Sequence, residues 1–339
     1  MTGRAVRWML SLMRSSRLAD GAGGPRLTIV RHHRVYADTE RPLYRLGVSE
    51  SVFAAQLAVL GQEGLTPLTV SAGLEHLAEG RPGHVVAMSF DDGYADNVWR
   101  ALPRLQAVQA KATFFLTAGL MEERRAPWWD ELAHALEHTR ESRLSGDLGA
   151  GPVDLPLRTQ VERRAALQTL TGQMRVPPPE RDRRLAQLRL RLGVSQPAEC
   201  ELAGWDAAQA LVRAGMEVGA HTLTHPHLTT LPAESQAHEI GGSVELIERR
   251  LGGRVRGFAY PGGDYDARTL EVVDRLGLDY AVTTRAGVNV AGAPPHELRR
   301  RGLSEGACLG PSGRLSRRLT LAELEGAFDG IRASRDAAS

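Results

Sequence analysis

Cysteine is nearly absent from this chain of 339 residues: Cys200 and Cys308 stand far apart, and neither belongs to a Cys-x-x-Cys pair. No thiolate zinc site can be built from them, and so low a count suits a reducing compartment. Lysine is scarcer still. Lys111 is the single one, so arginine carries nearly all the positive charge, and the net charge of +2 gives no reason to expect a nucleic-acid partner. Long apolar runs are missing too; nothing approaches the ~18 residues a membrane-spanning helix needs. What remains is ordinary: 42% hydrophobic and 24% charged residues exclude a mostly disordered chain. The length is enough to bury a large core, as one domain or two.

The first 25 residues lack an uninterrupted apolar stretch. Arg7 and Arg14 bracket Trp8 to Met13, shorter than the run of about 7–15 residues that a signal peptide uses. Residues 1–25 are therefore read as a short basic amphipathic helix that can rest on a membrane surface. That places the protein in the cytoplasm with peripheral membrane contact, and leaves secretion by an atypical signal open.

Beyond residue 25, short apolar runs alternate with segments of helical periodicity. "RLTIVRHH" (26–33), "HVVAMSF" (84–90), "KATFFLT" (111–117), "MEVGA" (216–220), "VRGFAY" (255–260) and "LDYAVTT" (278–284) read as strands, with "LTPL" a short extended piece. The second does not alternate polar with apolar, the mark of a strand buried on both faces. "SESVFAAQLAVLGQEG" reads as a helix that Ser49 or Ser51 can cap, and "DNVWRALPRLQAVQA" as a helix broken near Pro103. This rhythm argues for an α/β fold with a mainly parallel sheet of about seven strands, a barrel rather than an open sheet. Residues 121–204 interrupt it. They offer no strand candidate: charged amphipathic helices flank a loop at 146–156, and the stretch reads as a helical insertion opened by Trp128 and Trp129. Those indoles either anchor a core or form a platform for sugar rings. Residues 311–339 read as a C-terminal helix and tail.

Three stretches carry chemistry. In "VVAMSFDDGYADN" a buried strand runs straight into Asp91 and Asp92, at the strand end where parallel α/β folds hold active sites. Two adjacent carboxylates repel unless a cation, a proton or water intervenes. As a lone motif the pair reads equally as a turn, with Asp96 or Asn97 capping the next helix. In "MEVGAHTLTHPHL" another strand releases His221 and His225, whose i, i+4 spacing lets both face one metal ion from a helical turn. Two imidazoles and one carboxylate with open positions make a catalytic rather than a structural site. Asp92 can then bind metal while Asp91, pointing elsewhere on an extended segment, is free to take a proton from water. In "GFAYPGGDYD" the turn Pro261–Gly263 can aim backbone N–H groups at an oxyanion.

"SFDDGYADN", "HTLTHPHL" and "FAYPGG", in this order and spacing, resemble the motifs of the polysaccharide deacetylase family (the NodB homology domain, carbohydrate esterase family 4). "RHHRVYAD" and "VSESVFAAQLAVLGQEGLTPLTV" are similar to its exopolysaccharide-type branch. The resemblance covers residues 27–131 and 202–304 and implies a distorted, incomplete (β/α) barrel over 26–310. It implies a divalent metal, usually zinc, on Asp92, His221 and His225, with Asp91 as general base, Pro261 in the third motif and the Gly262 amide serving the oxyanion. It implies an acetylated glycan as substrate and acetyl removal as the reaction; other C–N bonds, or a carbohydrate-binding pseudoenzyme, are the competing readings, and the oligomeric state stays open. The chain departs from the family twice. Ala259 stands where many members carry the arginine that orients the base, and Arg300 of "ELRRRGL" is the replacement on offer. The late histidine motif is missing, which leaves His33 of "HHRV", or else His296, as the acid for the leaving amine. His32 then faces away from His33 on the same strand.

Overall fold

The computed structural model describes residues 24–329. The amphipathic reading of residues 1–25 lies outside them except at its last two positions, as does the tail beyond residue 329. Seven strands form the centre: β1 (Arg26–His32), β2 (His84–Phe90), β3 (Thr113–Leu116), β4 (Glu217–Ala220), β5 (Gly257–Ala259), β6 (Tyr280–Val282) and β7 (Arg300–Gly302). They run parallel in the order β6-β5-β4-β3-β2-β1-β7. A parallel bridge between Val282 and Leu298 brings β6 to the segment that leads into β7. The sheet thus closes almost completely into a distorted (β/α) barrel, the architecture expected.

Six of the strands match the apolar runs read from the sequence. The seventh, β7, is the "RRG" of an arginine run. Its side chains look wrong for a buried strand until their partners are known: Arg300 and Arg301 are both buried and both paired with carboxylates.

Alternation along the strands sorts side chains into two layers. Leu27, Ile29, Ala87, Phe115, Ala259 and Val282 fall in one buried cluster that fills the barrel. Val30, Met88, Phe90, Phe114 and Phe258 face the outer helices in a second, larger one. Each fully buried large apolar side chain contributes about 1.5–3 kcal/mol, so the rim of the barrel is held rigidly.

Local details differ from expectation for identifiable reasons. Helix Glu50–Gln62 begins after Ser49, but no serine side chain caps it. Asp38 accepts the Ser51 N–H at 3.0 Å and Glu305 accepts the Ser49 N–H at 3.2 Å. The irregularity expected at Pro103 lies upstream. Residues Asn97–Ala101 form a π-helical turn, and Pro103 sits in the first turn of the following helix Leu102–Ala107, where a missing N–H costs nothing. Asp96 and Asn97 are not side-chain caps. Asp96 accepts from Arg34 Nε and the Val35 N–H, and Asn97 donates to the His33 carbonyl at 2.7 Å.

The stretch 121–204 is not purely helical. Helices Trp128–His138, Gln160–Gln173 and Pro178–Arg191 are present, but the expected loop is an antiparallel hairpin of Arg143–Asp147 and Pro152–Pro156. Its charged residues and terminal prolines hid it; only Leu144 and Val153 of these strands are buried. Leu132, Leu136, Leu144, Leu170 and Leu188 give this region its own buried cluster.

Candidate active site

All seven barrel strands end on one rim, and β2 delivers Asp91 there. Alternation continues past the strand: Ala87, Ser89 and Asp91 share a parity and face the barrel interior. Asp91 meets Arg300 in a two-pronged pair, Nη1 to Oδ1 at 2.6 Å and Nη2 to Oδ2 at 2.7 Å. Arg300 also donates to Ser89 Oγ at 3.1 Å and, through Nε, to the Thr283 carbonyl at 2.9 Å. Both partners are buried. Burial pushes the Asp91 carboxyl up, and the Arg300 guanidinium more than reverses that, holding it well below the usual carboxylate range.

Asp92 turns the other way because its backbone does. It adopts φ 75°, and Gly93 follows at φ 85°. A non-glycine residue in this region is strained. Here the Thr117 hydroxyl holds the Asp92 carbonyl at 2.6 Å. A side chain on Gly93 would press on Leu116 and Met121 at 3.0 and 3.1 Å, so glycine is required twice over, by conformation and by space.

His221 and His225 do not lie on a helix, as their i, i+4 spacing suggested. They occupy a loop after β4 in which Thr222 and His225 both have positive φ, 66° and 54°. The Thr222 hydroxyl accepts the His225 N–H at 3.0 Å, and Glu239 accepts the N–H groups of Leu223 and Thr224, each at 2.9 Å. One hydrogen bond within the loop and two to Glu239 outside it thus hold this non-helical conformation.

The two imidazoles converge on Asp92. Nε2 of His221 and of His225 lie 3.5 and 3.7 Å from Asp92 Oδ1, and all three ligand atoms fall within 4.8 Å of one another. The edge of a tetrahedron with metal–nitrogen bonds of about 2.1 Å is about 3.4 Å, so the spacing fits a shared cation. The donor chemistry agrees. His221 Nδ1 lies 2.6 Å from the Ala259 carbonyl, which fixes the proton on Nδ1 and leaves the Nε2 lone pair facing Asp92. Burial works against charge on Asp92, and the neighbouring imidazoles outweigh it. Burial, with His221 adding to it, drives the His225 imidazole down to about 3, a neutral ligand at any physiological pH.

His33 follows β1 onto the same rim, with Nε2 3.9 Å from Asp91 Oδ2. Burial lowers its imidazole to about 4. His32 faces outward between Phe53 and Phe90, as expected. His296 is at the wrong end of the barrel: its Nε2 lies 2.9 Å from the carbonyl of Leu278, which precedes β6. Pro261 and Gly262 form a turn just past β5, with Gly262 at φ 63°. A side chain on Gly262 would come within 3.2 Å of His227.

Three neighbours of the site were not read from the sequence. Ser89 props Arg300. Arg31, two residues before His33, has a buried Nε with no hydrogen-bond partner among the described residues. Tyr94, part of the quoted Asp-Asp motif, accepts from Trp129 Nε1 at 2.7 Å and donates to Asp130 at 2.8 Å. Trp129 in turn packs edge-on against His225, centroids 4.4 Å apart. Trp128 and Trp129 are 8% and 3% exposed; they anchor the core, and neither offers a free face for a sugar platform.

Comparison with known proteins follows the same lines. The family model described as "Polysaccharide deacetylase" matches residues 78–281, a stretch that holds Asp91, Asp92, His221, His225 and Pro261 but neither His33 nor Arg300. The chain is 34% identical over 70 residues to chitin deacetylase 1 of Cryptococcus neoformans, a match covering 21% of this chain and 15% of that protein. In fold it is similar to the Streptococcus pyogenes deacetylase PplD solved in complex with acetate, at TM-score 0.59 and 19% identity, covering 88% of this chain and 98% of that one. It is similar also to IcaB from Ammonifex degensii, at TM-score 0.57 and 20% identity, covering 89% and 97%.

Proposed function

The chain belongs to the polysaccharide deacetylase family, and on that premise we propose that it is a metal-dependent hydrolase that removes N-acetyl (or O-acetyl) groups from a polysaccharide or oligosaccharide. One observation carries the reading. Two adjacent aspartates face opposite partners, Asp91 toward Arg300 and Asp92 toward two imidazoles, which is the division of labour that hydrolysis at a metal centre requires.

Asp92, His221 and His225 would hold a divalent cation, zinc in the first instance. When bound, such a cation polarises the acyl oxygen and eases deprotonation of water. The protein's own groups do the rest. Asp91 stays ionised beside Arg300 and takes a proton from the attacking water. Arg300 fixes both carboxylate oxygens, so the base keeps one orientation and takes over the role left vacant at Ala259. The backbone N–H of Gly262, on the turn that Pro261 stiffens, donates to the oxyanion. His33, neutral at rest and beside Asp91, takes up the proton that Asp91 draws from the attacking water and passes it to the departing nitrogen, which cannot leave as an anion. Acetate, the product, is the ligand with which the structurally similar PplD was solved.

The intact set of Asp91, Asp92, His221 and His225 argues against a pseudoenzyme. The test is acetate release from a panel of acetylated glycans, chitin oligomers and N-acetylglucosamine-rich exopolysaccharide among them, with and without chelator. Chelator-sensitive release from at least one supports the reading. Silence across the panel from protein that carries its metal moves the substrate to another C–N bond.

A further inference from the structure

Beside the metal-ligand loop lies a second cleft, of about 250 Å³, between the 121–204 region and the barrel rim. Thr224, the residue before His225, forms part of its wall; Arg125, Trp128, Glu131, Arg181 and Arg189 form much of the remainder. The cleft therefore opens beside the site that would act on the acetyl group, with room for one more sugar unit.

Its lining carries unmet hydrogen-bonding capacity. Trp128 Nε1, Arg181 Nε, Arg189 Nε and Glu131 Oε2 are all buried without a hydrogen-bond partner among the described residues. Native proteins seldom leave such atoms unpaired, and several in one place ask for a ligand. Arg181 is 3% exposed. Its nearest carboxylate, Asp182, is 3.5 Å from Nε, its Nη1 reaches the His225 carbonyl at 3.4 Å, and it lies over the Trp128 ring at 5.6 Å. Arg189 Nη1 is 3.6 Å from Glu131 Oε2, too far for a hydrogen bond. Three guanidinium groups, of Arg125, Arg181 and Arg189, and two carboxylates, of Glu131 and Asp182, line the cleft; Arg125 also meets Glu123, outside the lining, at 3.3 Å.

We propose that this cleft is a subsite for a sugar unit bearing a carboxylate, next to the unit that loses its acetyl group; this rests on the deacetylase reading above. The planar guanidinium groups of Arg181 and Arg189 match a carboxylate in shape and charge. The sugar's hydroxyls supply the donor that Glu131 lacks. A singly charged carboxylate suits the cleft better than a dianionic phosphate, which Glu131 and Asp182 would repel.

Two measurements test this separately from the chemistry. The first is titration of the metal-loaded protein with glucuronic acid, glucose and glucose 6-phosphate, followed by tryptophan fluorescence. Glucuronic acid should saturate and glucose should not. Arg189→Gln, at the edge of the cleft, should weaken glucuronic acid binding about 10- to 100-fold, the weight of a charge-assisted pair. Arg181→Lys should weaken it as well, because it keeps the charge and loses the fork. Equal binding of glucose, tighter binding of the phosphate, or no effect of either substitution in protein with a wild-type melting temperature overturns the proposal. The second compares acetate release from N-acetylated oligosaccharides with and without a flanking uronic acid. A lower KM for the acidic substrate, lost in Arg189→Gln, supports the subsite. Equal KM values overturn it and leave the deacetylase reading standing; saturable glucuronic acid binding with no acetate from any glycan keeps the subsite and removes the deacetylase.

Discussion

Arg300→Met tests how the base carboxylate is held. Arg300 is 1% exposed and Asp91 2%, and the guanidinium makes two bonds to Asp91, one to Ser89 and one to Thr283. Removing it leaves a buried carboxylate uncompensated, which typically costs about 3–5 kcal/mol. At about 2.1 cal/mol/K per residue, unfolding a chain of this size has an entropy of about 0.7 kcal/mol/K, so the melting temperature should fall by about 4–7 °C. Differential scanning calorimetry reads this directly. The double variant Asp91→Asn with Arg300→Met removes the stranded charge as well, and should recover most of the loss although it restores no bond. Arg300→Lys should fall between, since an ammonium cannot reproduce the fork. An Arg300→Met protein that melts with wild type, or a double variant no more stable than Arg300→Met, would refute the reasoning.

Asp92→Ala, His221→Ala and His225→Ala should each lower bound metal sharply, since each removes one of three protein donors; elemental analysis of the purified variants checks this, and full retention in all three removes the site. His33→Ala should keep its metal yet lose turnover on amide substrates by about 10²–10⁴-fold; a near-wild-type rate would move the proton donor elsewhere. Burial raises the Asp130 carboxyl to about 7 despite its bond from Tyr94. The folded state therefore holds a proton that the unfolded chain releases near pH 4, and Asp130's contribution to stability should fall by a few kcal/mol as the pH rises from about 4 to 7. Asp130→Asn should flatten that part of the urea-midpoint profile, and an unchanged slope would contradict the assignment.

How far the sequence discloses this site depends on what each element asks of its residues. β2 is mostly apolar because both faces are covered, so "HVVAMSF" and the aspartates at its end are plain to read. The histidines were legible as a pair but not as a loop. Their spacing suits a helix, and the positive φ of Thr222 and His225 is hard to read because Glu239, which holds the N–H groups of Leu223 and Thr224, lies 15 and more residues away. β7 was hidden for a related reason. Buried arginines look like surface until their partners are known, and Asp91 and Asp329 lie 209 and 28 residues away from Arg300 and Arg301. The resemblance supplied Arg300; composition and periodicity did not. The Trp129–Tyr94–Asp130 contacts join an insertion helix to the Asp-Asp motif and to His225, so neither stretch reveals them alone. The hairpin at 143–156 escaped because its strands are short, charged and only half covered.

The central claim is that Asp91 works while Asp92 holds. The most direct test is the turnover number for acetate release by Asp91→Asn protein at a confirmed metal load, against wild type at the same load. The exchange preserves size and shape but removes the proton acceptor. The account predicts full metal content with turnover lower by about 10²–10⁴-fold. Turnover at the wild-type rate, or metal loss equal to that of Asp92→Ala, would contradict it.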